Sequence, residues 1–162
     1  MDFSKSQNYV AAHRDETIEI LRRFLQADTL LFWSEEPNLF AYQKEHWQPI
    51  LDVLNGVFKL ELQTTTGIIP PENRQATLEF EQYLCNMSDK ELTGCFLAAQ
   101  DMKSVLLGLL LAKQKLSITE AFNAAFLEEL YQNQFWGEDT AAINAREKIK
   151  KQLEEIAEFI KS

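Results

Sequence analysis

The stretch from Ser88 to Gln114 constrains the fold most, because it carries a helical apolar pattern along its whole length. It reads SDKELTGCFLAAQDMKSVLLGLLLAKQ, and Ser88 with Glu91 three residues later forms a capping box, a start signal for a helix. Its apolar run VLLGLLLA is far shorter than the roughly 20 residues that a membrane span needs. The pattern therefore predicts one long helix without stable membrane insertion.

Two glycines, Gly94 and Gly108, lie inside this predicted helix. A glycine in a helix interior costs about 1 kcal/mol relative to alanine, so its presence needs a reason. We expect both positions to allow close approach of another helix, with a functional role as the alternative.

Further helices are predicted by the same periodicity. Ser117 with Glu120 is a second capping box, which opens a helix through Trp136 that Gly137 ends. Before His13 we expect a frayed terminus, and Pro49 should break the helix that follows Pro37. The remaining helices are predicted at 15–27, 38–55, 72–87 and 138–162.

Two short segments favour strands. DTLLFW, from Asp28 to Trp33, is apolar and aromatic, and VFKLELQTT, from Val57 to Thr65, alternates apolar with polar residues. The predicted fold class is therefore mainly α: a compact helical domain of about six or seven helices with a minor two-strand β element, and residues 1–162 form a single domain.

The formal net charge of −9 disfavours nucleic acid and anionic membrane surfaces as partners. Such a charge serves solubility or attracts a basic protein partner. Cys85 and Cys95 match no zinc spacing, and both fall in helical apolar patterns, so we expect buried free thiols. No signal or transit peptide pattern opens the chain, so we expect a protein that stays where it is made or whose leader is gone.

No pattern for catalysis, a metal or a cofactor is found. His13 and His46 are the only histidines and have no nucleophile motif, and the glycines are too scattered for a phosphate loop. Adjacent acids on a helix point about 100° apart, so an acid pair alone does not form a facing dyad. A small hydrolase that uses an acid pair with His46, or a generic interaction adaptor, remains the alternative to a partner-binding function.

The segment LEELYQNQFWGED, from Leu127 to Asp139, is the candidate contact site. Helical spacing places Glu129, Gln132 and Trp136 on one stripe beside the apolar face, with Glu128 next to it. Aromatic and acidic side chains together make a good protein-contact surface. The alternative is that Trp136 only packs at the helix end while the acids face water. Spacing alone leaves both interpretations open, and the candidate partner-binding residues are Glu128, Glu129, Gln132, Trp136 and Asp139.

The same segment resembles the signature of the chaperones that assemble the catalytic F(1) head of ATP synthase, specifically the family that handles the alpha subunit. That signature has Leu, an acid pair, Gln and Trp-Gly at the spacing of Leu127, Glu128-Glu129, Gln132 and Trp136-Gly137. Asp28-Thr29 and the stretches EEPNLFAYQKEHWQPILDVL and LTGCFLAAQDMKSVLLGLLLAKQKLSITEAF resemble other family segments in the same order. The resemblance covers about residues 14 to 140.

The resemblance implies a chaperone that binds the unassembled alpha subunit, with Glu128 and Glu129 as contact residues. It also implies the family's C-terminal helical domain, without the strand-rich N-terminal domain, and a location in the mitochondrial matrix or, alternatively, the bacterial cytoplasm. We further expect Glu129→Lys to weaken partner binding while it changes the free energy of unfolding by no more than about 1 kcal/mol, as surface changes do.

Overall fold

The computed structural model describes residues 2–162, and most of them are helical. These residues form nine α-helices: α1 (Ser4–Ala12), α2 (Arg14–Phe24), α3 (Pro37–Gly56), α4 (Arg74–Cys85), α5 (Asp89–Met102), α6 (Val105–Ala112), α7 (Ile118–Ala125), α8 (Leu127–Trp136) and α9 (Thr140–Lys161). Two single 3-10 turns, Leu25–Ala27 and Thr29–Leu31, connect α2 to α3. The predicted mainly α class is confirmed.

The core is built around α6, whose eight residues are all buried. The main neighbour of α6 is α5, and α9 packs against α5 and also contacts α6. Both predicted capping boxes are present, at Ser88 with Glu91 and at Ser117 with Glu120, and they start α5 and α7. Most of the buried apolar side chains of these helices belong to one hydrophobic cluster.

The two helix-interior glycines are packing glycines, as predicted. A Cβ at Gly108 would lie 2.8 Å from the carbonyl oxygen of Cys95, so α5 and α6 approach each other backbone to backbone. A Cβ at Gly94 would lie 2.4 Å from the Ile160 side chain of α9. Each glycine therefore sits where one helix presses against another.

Two predicted long helices are each divided in two. The helix after Ser88 breaks at Lys103, which takes a left-handed conformation with φ 55°, and Ser104 caps α6. The helix after Ser117 breaks at Phe126, and the Trp47 indole donates to the carbonyl oxygen of Ala124 beside this break at 3.0 Å. Contacts from distant segments thus satisfy the backbone groups that the breaks release.

Two further expectations about helix boundaries were wrong. Residues expected to fray before His13 form α1, because Val10 and Phe3 are buried in the core. Pro49 does not break α3, which continues to Gly56. Pro49 and Glu45 are both exposed, so water can hydrate the Glu45 carbonyl oxygen that loses its N–H partner, while Trp47 and Ile50 anchor the helix on its buried face.

The expected two-strand element is not confirmed, since no sheet is found within residues 2–162. Only an isolated bridge joins Phe32 to Thr65, with Trp33 N donating to Thr65 O and Thr65 N to Leu31 O, each at 2.8 Å. The alternation in VFKLELQTT correctly describes burial: Phe58, Leu60 and Leu62 are buried.

The backbone of this segment differs from a strand because side-chain amides take the hydrogen bonds that a neighbouring strand would make. Asn55 Oδ1 accepts from Leu62 N at 2.8 Å, and the Asn73 amide accepts from Gln63 N and donates to Gln63 O. The exposed residues between the buried ones turn the chain, because Lys59 and Glu61 both have positive φ. Alternating burial is thus produced by an irregular backbone with two positive-φ residues, not by a strand.

A buried carboxyl joins the start of α6 to the 3-10 connection. Asp28 accepts hydrogen bonds from the backbone N–H groups of Leu30 and Leu106 and from the Ser104 hydroxyl. Burial raises the pKa of Asp28 to about 6, although these hydrogen bonds act to lower it. The free cysteines differ from the expectation in one case: Cys95 is buried, but Cys85 is exposed at the end of α4.

Candidate partner-binding surface

The C-terminal end of α8 exposes two adjacent aromatic side chains. Trp136 is 87% exposed and Phe135 is 65% exposed. The helix ends at Gly137, whose φ of 80° is a conformation that glycine adopts without strain. Adjacent exposed aromatic side chains often mark an interaction surface, because aromatic residues contribute strongly to binding energy at protein interfaces.

Gln132 and Asp139 lie at the borders of this aromatic end, and both are exposed. Asp139 stands at the residue before α9, yet its side chain makes no capping hydrogen bond to that helix. The structure therefore leaves Gln132, Trp136 and Asp139 accessible to a partner, as their prediction as contact residues requires.

Glu129 lies against a buried arginine of α9. Its Oε1 lies 3.1 Å from Nη1 of Arg146, and Arg146 is only 5% exposed. The two groups form an ion pair, but Nη1 makes no hydrogen bond within the described residues. Glu129 itself stays half exposed. The expectation that Glu129→Lys changes the free energy of unfolding by no more than about 1 kcal/mol assumed a free surface side chain, and the ion pair with a buried cation removes that premise.

Glu128 binds a buried glutamine of α3. Gln43 is fully buried, and its Nε2 donates to Glu128 Oε1 at 2.9 Å, while its Oε1 accepts from Ser34 N at 2.7 Å. Both acids of the predicted contact pair are therefore engaged with buried polar side chains of neighbouring helices. The sequence patterns do not reveal either partner.

An aromatic row leads from α3 to the end of α8. The ring of Tyr42 lies 4.4 Å from His46 and 5.1 Å from Tyr131, and Tyr131 lies 5.2 Å from Phe135, all measured between ring centroids. Sequence reasoning missed Phe135 and Tyr131. Their spacing of four residues on a helix is a signal that could have identified them.

A pocket lined by Glu129, Asp139 and His46 together would favour the hydrolase alternative. In the structure Glu129 pairs with Arg146, and the ring of His46 contacts Tyr42 in a tilted arrangement. Across residues 2–162 no group of three or more His, Cys, Asp or Glu side chains is arranged to hold a metal ion. No helix in the same range is long and apolar enough to cross a membrane.

Comparison with known proteins gives a family-model match over part of the chain and a shared fold. Residues 1–55 match the model of the family described as ATP12 chaperone protein. The structure of Atp12 from Paracoccus denitrificans superposes with a TM-score of 0.87 and 22% sequence identity, over 93% of this chain and 66% of that one. A point mutant of the Paracoccus protein gives 0.86, at 21% identity and with 65% of that chain covered.

A third solved structure, the Atu1473 protein from Agrobacterium tumefaciens, has a TM-score of 0.84 and 25% identity, over 93% of this chain and 57% of that one. The chain thus spans less than two thirds of the length of these solved relatives. These matches show that the chain has the same mainly helical fold as the matching parts of the solved structures. The predicted resemblance to the chaperone family is confirmed by the match of residues 1–55 to the ATP12 family model and by this shared fold.

Proposed function

We propose that this protein is a molecular chaperone that binds the unassembled alpha subunit of ATP synthase and promotes assembly of the catalytic F(1) head. The observation that carries the proposal is the agreement of the family match with a fold match over nearly the whole chain. The alpha subunit as client follows from the family resemblance of the LEELYQNQFWG segment.

The surface proposed to bind the client is the exposed end of α8. Trp136 and Phe135 offer apolar area that a client can cover, and Gln132 and Asp139 supply polar groups at the rim. Glu128 and Glu129 border this surface on the preceding turns. A free alpha subunit exposes apolar surface that the assembled head covers, so an aromatic surface of this size suits temporary protection.

Release is proposed to occur by competition. The acidic character of the chain, with a net charge of −9, favours rapid and salt-dependent association more than very tight binding. The beta subunit would then displace the chaperone from alpha without a nucleotide-driven step. Addition of excess beta to a purified complex should release the chaperone, and a complex that persists unchanged contradicts this mechanism.

The proposal is tested by co-expression of the chain with the alpha subunit of the same organism, followed by size exclusion with light scattering. We expect a one-to-one complex in place of aggregated alpha. Trp136→Ala should reduce the complex at least tenfold, as loss of a central aromatic does. It should change the free energy of unfolding by no more than about 0.5 kcal/mol, because the side chain is exposed.

Leu78→Ala is the matched control, since Leu78 is a half-exposed apolar residue on α4. It should leave the complex intact. Equal loss of complex in both variants would show that general apolar exposure, and not the end of α8, retains alpha. Aggregated alpha beside the free chain would contradict the client assignment for residues 1–162.

The proposed location is the mitochondrial matrix, with the bacterial cytoplasm as the alternative. Two of the organisms with matching solved structures, Paracoccus denitrificans and Agrobacterium tumefaciens, are bacteria. Fractionation of the source cells with an antibody against the chain decides between the two compartments.

A further inference from the structure

α8 is held to the rest of the molecule by little apolar surface. Leu127 is its only buried residue in the described structure, and Leu130 and Tyr131 are half buried. A helix with one buried residue gains little from hydrophobic burial, so its position depends on other contacts. The polar contacts of Glu128 and Glu129 lie in its first turn, beside Leu127.

The contact of Glu129 is an ion pair with a cation that has few other partners. Arg146 comes from α9, and its buried Nη1 makes no hydrogen bond within residues 2–162. The Asn133 amide lies beside it: with its oxygen toward the guanidinium, Asn133 accepts from Arg146 Nη2 at 3.2 Å and donates to Glu129 O and Gly137 O. Arg146 therefore joins two successive turns of α8 to α9.

The contact of Glu128 is a hydrogen bond from an uncharged donor. Gln43 Nε2 needs only an oxygen acceptor, and its own position is set by the bond from Ser34 N to its Oε1. Glu128 thus joins α8 to α3, on a different side from Arg146. These two contacts, to two different helices, act together with Leu127 and the Tyr42–Tyr131 contact to set the position and rotation of α8.

We infer that Glu128 and Glu129 are positioning residues, which hold α8 so that Trp136 and Phe135 face outward, and that neither acid contacts the client through its charge. The inference rests on the proposed function only where it concerns the client. The positioning itself is a property of the free chain and can be measured without any partner.

The first experiment uses Glu128, because a conservative variant separates the two roles. Glu128→Gln keeps an oxygen for Gln43 and removes the charge, whereas Glu128→Leu removes both. For a positioning residue, hydrogen exchange of the α8 amides should match the wild type in Glu128→Gln and accelerate roughly tenfold in Glu128→Leu. Alpha binding should follow the same order. Loss of alpha binding in Glu128→Gln with unchanged exchange would overturn the inference.

The second experiment reverses the ion pair. Glu129→Arg should accelerate exchange in α8, and the double variant Glu129→Arg with Arg146→Glu should restore exchange to within about threefold of the wild type. Restored exchange together with restored alpha binding supports positioning. Restored exchange without alpha binding would show a direct charge contact and would overturn the inference.

If the double variant with the reversed ion pair does not fold, Glu129→Gln provides the test. It should accelerate exchange in α8, while Glu138→Gln, at an exposed acid for which no ion pair is found in the described part of the chain, should not. Equal exchange in Glu129→Gln and the wild type overturns the inference. If the wild type itself does not bind alpha, the proposed function fails, and the exchange data still decide whether the acids position α8.

Discussion

Replacement of Gly108 by alanine tests whether close contact between α5 and α6 limits the stability of the core. The new Cβ would lie 2.8 Å from Cys95 O and 3.2 Å from Ala99 Cβ, where ordinary contact begins near 3.4 Å. Because the nearest atom belongs to backbone, the two helices must separate by roughly half an ångström. Every residue of α6 is buried, so no side of the helix can move into solvent.

The expected cost follows from two opposing contributions. Overpacking of a buried site costs about 1–3 kcal/mol, and we take the upper end because a backbone atom cannot rotate away. Alanine recovers about 1 kcal/mol of helix propensity. The net destabilisation should be about 2 kcal/mol, which lowers the melting temperature by about 4–8 °C in a domain of this size.

Gly94→Ala is the matched control, because its obstacle is a side chain. The Cβ would meet Ile160 Cδ1 and Cγ1 at 2.4 Å, near the end of α9, where Ile160 can change rotamer. The free energy of unfolding should fall by no more than about 1 kcal/mol. In an Ile160→Ala background the same change should be neutral or stabilising, since only the gain in helix propensity remains.

Urea unfolding monitored by circular dichroism measures these differences, provided that the m-value is unchanged. The result that would refute the reasoning is a Gly108→Ala variant as stable as the wild type, or no less stable than Gly94→Ala. Either outcome would mean that the space between α5 and α6 is not the limiting contact.

Three further predictions concern single side chains. Because burial raises the pKa of Asp28 from 3.8 to about 6 in the folded state, its contribution to stability is present at low pH and is lost as pH rises through 6. Relative to Asp28→Asn, the wild-type free energy of unfolding in urea should therefore fall by about 2 kcal/mol between pH 4 and pH 7, and a pH-independent difference would contradict this. Lys103→Gly should stabilise the protein by about 0.5–1 kcal/mol in a thermal melt, since Lys103 has φ 55° and glycine adopts this conformation without strain. A lower melting temperature would show that the lysine side chain contributes more to stability than the backbone strain costs. A thiol reagent should modify the exposed Cys85 in the native protein but Cys95 only after unfolding, because Cys95 is buried and burial raises the pKa of its thiol to about 12. Native labelling at Cys95, detected by mass spectrometry, would contradict this.

Local signals in the sequence were sufficient for much of the fold. Both capping boxes start helices where the serine and glutamate predict them, because a cap involves residues only three positions apart. Alternation in the segment after Val57 correctly indicates which side chains are buried. It does not indicate the backbone, because Asn55 and Asn73 replace the partner strand that alternation usually implies.

The helix breaks could not be predicted, because they depend on residues far away in the chain. α5 and α6 separate at Lys103, and the carboxyl of Asp28, 78 residues before Leu106, accepts from the N–H of Leu106 in the first turn of α6. α7 and α8 separate at Phe126. Beside this break, the indole N–H of Trp47 donates to the carbonyl oxygen of Ala124, which lies 77 residues further along the chain. Helical periodicity continues across both breaks, so it contains no sign of them.

The candidate site also combines features that local sequence signals indicate with features that depend on distant contacts. The sequence by itself identified Trp136 and the acid pair as the segment of interest, because residue type and helical spacing are local properties. Only the tertiary structure shows that Trp136 is exposed while Glu128 binds Gln43 and Glu129 pairs with Arg146. Those partners lie on α3 and α9, and an acid that faces water has the same sequence pattern as one that faces a buried side chain of another helix.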